Sequence, residues 1–431
     1  ASVGTAGDVT GIASGVATIS YSLATSCYAV KNITVNPLPA PIAGSLNICV
    51  GFTSNLTDGT GGGAWSSSDI TVATVGSSTG IVTGTGAGTA DIVYTLGTGC
   101  TSTVTVTVNA VPAAITGALA VCMGNTTALG DVTAGGAWSS SNTGIATIDA
   151  FGVVTSVSPG TSVISYTLGS GCYRSAVVSV NALPSAITGS LTVCEGLNTT
   201  LSDFPVGGTW SSSSVANATV TSGGVVNGVL AGMSTITYTL GTGCIMTADV
   251  TVNTSPSAIG GTPNVCIGST TVLTNTVPGG LWASNNTAIA TVDPFGTVTG
   301  VAVGSTTITY TLGTGCRVTR SFTVNALPSP ITGTSVVCEG ATVVLSDATS
   351  GGVWSSSTAA VGTVGTGSGV VTGVASGTTT ITYTSSLGCI RTNVVTVNTS
   401  PLAIAGTFVI CASTTTALSN PVPGGVWNSG N

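Results

Sequence analysis

The stretch Trp138-Ser-Ser-Ser141, the run Val163-Ile-Ser-Tyr-Thr-Leu168 and Cys172 decide the fold, because this combination returns along the whole chain. A tyrosine six residues before a cysteine returns with the same period. Tryptophans recur about every 72 residues, and such regular self-similarity indicates a repeat architecture. They are Trp65, Trp138, Trp210, Trp282, Trp354 and Trp427. The chain is therefore predicted to be a tandem array of one small domain.

Each repeat consists of short β-branched runs separated by glycine, proline and Asp or Asn. Runs of four to eight residues bounded by such turn residues are typical of strands, and no segment shows the 3.6-residue period of a helix. Seven short strands in about 72 residues predict an immunoglobulin-type β-sandwich. The linkers, such as Val108-Asn-Ala-Val-Pro112, carry proline and no Gly/Ser run, which makes them stiff. The predicted fold class is all-β, a tandem array of immunoglobulin-like β-sandwich domains that forms an extended rod.

The linkers also set the predicted domain boundaries. Complete repeats are predicted at 37–109 (repeat 1), 110–181 (repeat 2), 182–253 (repeat 3), 254–325 (repeat 4) and 326–398 (repeat 5), with partial repeats at 1–36 (C-terminal half) and 399–431 (N-terminal half). Ala1 and Asn431 both align with positions inside a domain. We expect either that the array continues in a longer chain or that half-domains of successive subunits complete each other.

Composition excludes several classes of function. The 431 residues include 62 glycines, no histidine and five basic residues, with a net charge of −7. An acidic chain lacks the basic surface that nucleic acids require, and no apolar stretch approaches the ~18 residues of a membrane helix. Without histidine, a recurring carboxylate pair or a phosphate-binding loop, there is no basis for catalysis. We therefore expect no enzymatic activity and no cofactor. The mean hydropathy of +0.60 argues for a folded chain.

Two further periodic positions have competing interpretations. The six tryptophans are predicted to be structural core residues, because buried aromatic side chains dominate small cores; the alternative is an exposed platform for sugars. Seven residues before each tryptophan stands an Asp or Asn, namely Asp58, Asp131, Asp203, Asn275, Asp347 and Asn420. One such side chain suits a turn, whereas a calcium site needs several oxygen ligands. A turn is therefore favoured, and no metal site is predicted.

Several motifs carry a resemblance to known proteins. They are Val-Cys-x-Gly-x-Thr, Gly-Gly-x-Trp-Ser-Ser-Ser, Gly-x-Val-Thr-Gly and Ile-Thr-Tyr-Thr. With them the chain resembles the bacterial Ig-like repeats of giant surface proteins, and its Trp-Ser-Ser to Ile-Thr-Tyr portion resembles group 2 domains. The cysteine pair in each repeat resembles repeats of Bacteroidota surface proteins exported by the type IX system. This resemblance implies an extracellular, cell-surface location and no catalysis, but such repeats serve stalks, adhesins and fibres alike.

Twelve cysteines in so polar a chain indicate disulfides and an oxidising compartment, since there is neither histidine nor a C-x-x-C pair for zinc. Three pairings satisfy the periodicity: within a repeat, across a linker (Cys27 with Cys49), or across a junction (Cys49 with Cys172). In an immunoglobulin topology the two cysteines of one repeat lie at opposite ends of a strand, about 23 Å apart, whereas a disulfide needs Cα atoms within about 7 Å.

The resemblance instead implies one bridge per domain. The expected pairs are then Cys49–Cys100, Cys122–Cys172, Cys194–Cys244, Cys266–Cys316 and Cys338–Cys389, with the junction and linker pairings left open, because connectivity cannot be deduced from sequence alone.

The predicted function is structural. The chain is expected to be a segment of a long extracellular fibre or cell-surface stalk made of rigidly joined, disulfide-stabilised repeats. Its expected partners are neighbouring repeats of the same chain or other copies in a fibre, with surface glycans as a further candidate, and neither nucleic acid nor membrane. The alternatives are an adhesin whose repeats bind glycans or surfaces during gliding or attachment, and the spacer of a secreted multidomain enzyme.

Overall fold

The computed structural model describes residues 1–430, and its regular structure is formed by 43 β-strands. The chain divides into two compact units. Unit 1 comprises Ala1–Thr188, Asp203–Trp210 and Thr237–Thr247, and unit 2 comprises Gly189–Ser202, Ser211–Ile236 and Ala248–Asn431. The border between the units runs through the chain of repeat 3.

Residues 1–36 form two hairpins, with strands β1 (Ser2–Val3), β2 (Val9–Thr10), β3 (Gly15–Ser22) and β4 (Tyr28–Val35). Repeat 1 follows, with β5 (Asn47–Cys49), β6 (Thr53–Asn55), β7 (Ala64–Ser67), β8 (Ala73–Val75), β9 (Ile81–Gly84), β10 (Gly88–Thr95) and β11 (Thr101–Asn109). One sheet has the order β5-β11-β10-β7 and the other the order β6-β9-β8. The first strand, β5, is parallel to the last, β11, whereas the other neighbours are antiparallel.

The core of repeat 1 lies between these sheets. Strand β10 alternates buried Ala90, Ile92 and Tyr94 with more exposed residues, as expected for a strand with one face on the core. From the neighbouring strands, Val82 and Val106 are fully buried against them. Burying an aliphatic side chain stabilises the fold by roughly 1.5–3 kcal/mol.

Repeat 2 repeats this arrangement with one added short strand. Its strands are β12 (Thr116–Gly117), β13 (Ala120–Cys122), β14 (Thr126–Gly130), β15 (Gly136–Ser140), β16 (Ala146–Ile148), β17 (Val153–Ser156), β18 (Gly160–Leu168) and β19 (Tyr173–Asn181). The sheets have the orders β13-β19-β18-β15 and β12-β14-β17-β16. In the chain of repeat 3 the strands are β20 (Thr188–Gly189), β21 (Thr192–Cys194), β22 (Asn198–Ser202), β23 (Thr209–Ser212), β24 (Ala218–Val220), β25 (Val225–Gly228), β26 (Gly232–Thr239) and β27 (Ile245–Asn253).

Repeats 4 and 5 have seven strands each, like repeat 1. Repeat 4 has β28 (Asn264–Cys266), β29 (Thr270–Val272), β30 (Leu281–Ser284), β31 (Ala290–Val292), β32 (Thr297–Gly300), β33 (Gly304–Thr311) and β34 (Arg317–Asn325). Repeat 5 has β35 (Val336–Cys338), β36 (Thr342–Val344), β37 (Val353–Ser356), β38 (Gly362–Val364), β39 (Val370–Gly373), β40 (Gly377–Thr384) and β41 (Ile390–Asn398). The described part of 399–431 forms β42 (Ala405–Gly406) and β43 (Leu418–Ser419).

The predicted all-β tandem array of immunoglobulin-like domains is confirmed. In repeats 1, 2, 4 and 5 a separate hydrophobic core recurs with the period of the sequence. The placement of Asn431 inside a domain falls outside the described residues.

Candidate functional site at the bridged repeat junctions

Four disulfides join each of four repeats to the one that follows it. The pairs are Cys49–Cys172, Cys122–Cys244, Cys194–Cys316 and Cys266–Cys389, each with a Cα–Cα distance of 5.7 Å. The sequence separations are 122 or 123 residues. The expectation of a bridge within each repeat was therefore wrong for Cys49–Cys100, Cys122–Cys172, Cys194–Cys244, Cys266–Cys316 and Cys338–Cys389.

The strand order explains why the two cysteines of one repeat do not pair. Cys49 ends β5 and lies opposite Asn109, the last residue of β11. Cys100 directly precedes the first residue of β11, at the opposite end of the strand. Nine strand residues span roughly 30 Å, far beyond the reach of a disulfide.

The turn between the last two strands of the next repeat brings the partner cysteine to the same place. Cys172 lies in the turn between β18 and β19, and its Sγ is 3.9 Å from the carbonyl oxygen of Asn109. Unit 2 shows the same arrangement, with Cys316 Sγ 4.0 Å from the carbonyl oxygen of Asn253. The end of one repeat's last strand is thus the point at which two successive repeats are joined by a disulfide.

The bridging sulphurs are shielded unequally. The second member of each pair is buried, at Cys172, Cys244, Cys316 and Cys389, and the first member is half-buried. Four cysteines have no disulfide: Cys27, Cys100, Cys338 and Cys411.

One backbone hydrogen bond is common to the five junctions that follow complete repeats. The residue after the first cysteine donates its N–H to the Asn that ends the last strand, at Val50–Asn109, Met123–Asn181, Glu195–Asn253, Ile267–Asn325 and Glu339–Asn398, over 2.9–3.1 Å. This bond holds the first strand beside the linker. The side chain of the donating residue differs from junction to junction.

At the junction after repeat 3 that side chain is a glutamate. Glu195 Oε1 accepts a hydrogen bond from the N–H of Ala231 at 2.7 Å, and Oε2 accepts one from the N–H of Ser255 at 3.1 Å. Ser255 Oγ also donates to the backbone oxygen of Glu195 at 2.7 Å. Charge-assisted bonds of this kind are about twice as strong as neutral ones. One carboxylate therefore binds the linker residue Ser255 to the loop at Ala231.

The junction after repeat 5 uses the same chemistry. Glu339 Oε1 accepts from the N–H of Ser376 at 2.7 Å, and its backbone oxygen accepts from Ser400 Oγ at 2.5 Å. In both places the linker reads Thr-Ser-Pro. The linkers after repeats 1, 2 and 4, in which the residue after the first cysteine is Val50, Met123 or Ile267, read Ala-Val-Pro or Ala-Leu-Pro. Two junctions of this second kind use an arginine instead. Arg174 Nε donates to Pro112 O at 3.3 Å, and Arg391 Nε donates to Pro328 O at 3.1 Å.

The periodic Asp or Asn position forms the predicted turn in repeats 1, 2, 4 and 5, whereas the residue two positions after Asp203 is Pro205, which has no N–H to donate. Asp131 Oδ1 accepts the N–H of Thr133 at 2.8 Å, and Asn275 Oδ1 accepts the N–H of Val277 at 3.0 Å. Asn275 Nδ2 also donates to Ser257 O at 2.6 Å. In four repeats the equivalent Oδ2 is buried and has no hydrogen-bond partner, at Asp58, Asp131, Asp203 and Asp347. Asn occurs only where the preceding linker reads Thr-Ser-Pro.

The periodic aromatic residues pack against each other. In all five complete repeats the tryptophan and tyrosine ring centroids lie 4.7–4.8 Å apart. Tyr166 Oη donates to Thr133 O and accepts the N–H of Gly136. A Cβ at Gly136 would lie 2.4 Å from the Tyr166 ring, so this position requires glycine.

The structure places five of the six tryptophans at these cores. Trp65 and Trp354 are buried, and Trp138, Trp210 and Trp282 are half-buried. Trp427 is 56% exposed, so the expectation of a core position was wrong there. The described residues 399–430 supply only the pair β42 and β43 around this ring.

Sequence reasoning missed the glutamates at the junctions. A signal for them was present, because Glu195 and Glu339 are the residues after a first cysteine whose linkers read Thr-Ser-Pro. Comparing the repeats with one another, position by position, reveals this joint change. Its physical cause appears only when Glu195 and Ser255, which are 60 residues apart, are brought together.

Comparisons with known proteins agree with the fold. The family model "Bacterial Ig-like domain (group 2)" matches residues 269–321. A comparison with curated proteins finds no match. Within the part of the chain that the structure describes, no cluster of three or more His, Cys, Asp or Glu residues could hold a metal ion. The same residues include no helical segment with the length and hydrophobicity of a membrane span.

Among solved structures, the chain is similar to the S-layer protein SbsC, to invasin, a bacterial integrin-binding protein, and to the Down syndrome cell adhesion molecule. The SbsC match has 16% identity, covers 84% of this chain and 67% of the other, and has a TM-score of 0.18. For invasin the values are 15%, 75%, 82% and 0.26, and for the adhesion molecule 12%, 93%, 78% and 0.20. With identities and TM-scores this low, nothing about function follows from these likenesses.

Proposed function

We propose that this chain is a structural segment of an extracellular fibre or cell-surface stalk. The observation that carries the proposal is the set of disulfides that join successive repeats. A bridge within a domain stabilises only that domain, whereas a bridge such as Cys122–Cys244 constrains two domains and the linker between them. Such a bridge adds a second covalent connection between domains beside the backbone, which is of use to a protein that bears load along its length.

The same bonds support the proposed extracellular location. Structural disulfides persist in oxidising surroundings and are rare where thiols are kept reduced. In the chain-entropy model, closing a loop of more than 100 residues stabilises a fold by about 4.7 kcal/mol. Protein with these bonds is therefore proposed to act outside the cell. Export by the type IX system and an origin in Bacteroidota are part of this proposal, on the strength of the motifs quoted above.

The proposed partners are the neighbouring repeats of the same chain and other copies within a fibre, and the proposal includes no catalysis. A fibre needs no ligand pocket. The disulfides that recur along this chain connect one repeat to the next, and the recurring backbone hydrogen bonds hold the strand that ends at the first cysteine beside the linker. The adhesin alternative would use the tryptophans as sugar-binding platforms. In the five complete repeats these rings pack against tyrosines, which gives that alternative no support.

Labelling of native cells tests the proposal. Antibodies raised against residues 110–181 should decorate thin filaments or stalks on intact, unpermeabilised cells in electron micrographs. Glycan-array binding by the same repeat supplies the contrast. Labelling confined to the cell interior would overturn the proposal, and specific glycan binding with no labelled filament would favour the adhesin.

A further inference from the structure

We propose that the staggered disulfides form two interleaved covalent paths that carry tension from repeat to repeat, so that the loss of either inner bridge leaves the fully extended length unchanged. The inner bridges are Cys122–Cys244 and Cys194–Cys316, and the outer bridges are Cys49–Cys172 and Cys266–Cys389. This inference rests on the proposed structural function and adds the mechanism by which the chain bears load. It concerns bond connectivity, which is independent of where the protein is located.

Each path alternates between a disulfide and a short piece of chain. Path 1 crosses Cys49–Cys172, follows the chain from Cys172 to Cys194, and crosses to Cys316. Path 2 crosses Cys122–Cys244, follows the chain from Cys244 to Cys266, and crosses to Cys389. Because each bridge spans 122 or 123 residues, the bridges of one path overlap those of the other along the sequence.

The short pieces of chain have little length to release. Between Cys172 and Cys194 lie β19, a proline-containing linker, β20 and β21. A β-strand already rises about 3.3 Å per residue, close to the ~3.6 Å limit of a fully extended chain. Tension along a path therefore acts largely on strand residues, which have little further length to release.

The two paths run side by side within a repeat. In repeat 3, path 1 passes along β21 and path 2 along β27, and these strands are parallel and hydrogen-bonded, with Cys194 opposite Asn253. The same pairing joins the strand that ends at the first cysteine to the last strand in the other complete repeats. The chain between the two cysteines of one repeat, here called its body, connects one path to the other.

The connectivity sets a definite tether length between the two ends of this sequence. The shortest covalent route enters path 1 at Cys49, changes path once, and leaves path 2 at Cys389. It can change path through the body of repeat 2 or through that of repeat 4, at equal length, and it never uses the body of repeat 3.

Residue steps give the length of this route. It takes 48 steps to Cys49, 22 along one path, 50 through the body of repeat 2 or repeat 4, and 42 from Cys389, about 162 in all, each at most about 3.6 Å long. The oxidised tether therefore ends at about 580 Å, and a fully reduced one, with 430 steps, at about 1,550 Å.

Single-molecule stretching of the oxidised chain, held at its two ends, tests this connectivity. Cys122→Ser with Cys244→Ser removes an inner bridge and should leave the final length at about 580 Å, because the route through repeat 4 is intact. If bridges lay within repeats, the same variant would open two of them and lengthen the tether by about 360 Å. Such a lengthening would overturn the proposal.

Removal of an outer bridge is the matched control. Cys49→Ser with Cys172→Ser leaves path 2 as the shortest route, entered at Cys122, and the tether should lengthen by only about 80 Å. An inner and an outer bridge close loops of nearly equal size, with separations of 122 and 123 residues. Interleaving therefore predicts a difference between two variants that loop size alone would make equal.

Two variants that each lack two bridges make the test sharper. Removing Cys49–Cys172 and Cys122–Cys244 leaves only the bridges at the C-terminal side, and the tether should end at about 1,030 Å. Removing Cys122–Cys244 and Cys194–Cys316 leaves the two outer bridges, which do not overlap, and the tether should end at about 660 Å.

Equal lengths for these two variants would contradict the interleaved paths. The final length depends on covalent connectivity alone, so it can be read even if a variant folds poorly, once peptide mapping without reductant has identified its remaining bridges. A failure here leaves the surface labelling unaffected, and absence from the cell surface leaves the tether lengths unaffected, so the two proposals fail separately.

Discussion

Two junctions of this chain have the same covalent bridge and different non-covalent contacts. The Glu junction, after repeat 3, consists of Cys194–Cys316, Glu195, Ser255 and Asn275; the Val junction, after repeat 1, consists of Cys49–Cys172, Val50, Val111 and Asp131. The Cα–Cα distance is 5.7 Å in both disulfides. In the first a carboxylate accepts two backbone N–H groups, and in the second an arginine donates to the linker carbonyl of Pro112.

The difference shows which parts of a junction are interchangeable. The disulfide and the bond to the Asn carbonyl occur in both, so they define the joint. The position of the carboxylate differs. At the Glu junction Glu195 precedes the linker and the amide Asn275 follows it, whereas at the Val junction the apolar Val50 precedes the linker and Asp131 follows it. The other junctions after complete repeats keep to one of these two combinations. Each junction therefore has one carboxylate among these positions.

Removal of the bridge should have the largest effect and test whether the two junctions share it equally. Cys194→Ser with Cys316→Ser, and Cys49→Ser with Cys172→Ser, should each destabilise the chain by about 4.7 kcal/mol, because each bridge closes a loop of more than 100 residues and the two loops are of nearly equal size. Thermal unfolding without reductant measures both. An unchanged melting temperature when the wild type is reduced would show that the bridges do not stabilise the fold.

Replacement of the junction side chains should separate the two types. Glu195→Ala leaves the N–H groups of Ala231 and Ser255 without their acceptor, and we expect a loss of about 2–3 kcal/mol. Val50→Ala removes half-buried methyl groups, and we expect about 1 kcal/mol. Urea denaturation of the two variants measures both losses of unfolding free energy. A larger loss for Val50→Ala than for Glu195→Ala would contradict the prediction. Glu195→Gln is the matched control and should be intermediate, since an amide retains one acceptor oxygen.

An exchange of the Asp and Asn residues should have opposite effects at the two junctions. Asp131→Asn is expected to stabilise by about 1 kcal/mol, because its amide can donate to the carbonyl of Ala113 as Asn275 donates to Ser257, where Asp131 now has a buried oxygen without a partner. Asn275→Asp should destabilise by a similar amount. Paired denaturation curves measure both signs, and the same sign for both variants would exclude this hydrogen bond as the cause.

The smallest effect is expected in acid, in the repeat that follows the Glu junction. The N–H of Thr297 donates to Asp293 and lowers the pKa of its carboxyl below the ordinary 3.8. A carboxyl with a lowered folded pKa adds stability that is present above 3.8 and is lost as the pH falls through the folded value. Asp293→Asn should therefore flatten the decline of stability below pH 3.8, measured by unfolding at fixed pH values. A decline identical to that of the wild type would assign the acid sensitivity elsewhere.

The repeating fold could be predicted because its causes are local. The alternation in runs such as Val163-Ile-Ser-Tyr-Thr-Leu168 depends on which face of a strand each side chain occupies, and this is visible in the order of residues. The tryptophan period likewise gave the repeat length directly. Glu195 was not found, because its partners Ala231 and Ser255 are 36 and 60 residues away.

The cysteines show what the sequence alone could predict and what required the tertiary structure. The amino-acid sequence by itself determined that the chain is a periodic all-β array with two cysteines per repeat, because strands, turns and period are written in consecutive residues. Only the tertiary structure decided which sulphurs meet, because the parallel pairing of β5 with β11 sends Cys49 and Cys100 to opposite ends of one strand and brings Cys172 of the next repeat to Cys49. The expected set of separately bridged domains is therefore a chain in which disulfides join successive domains.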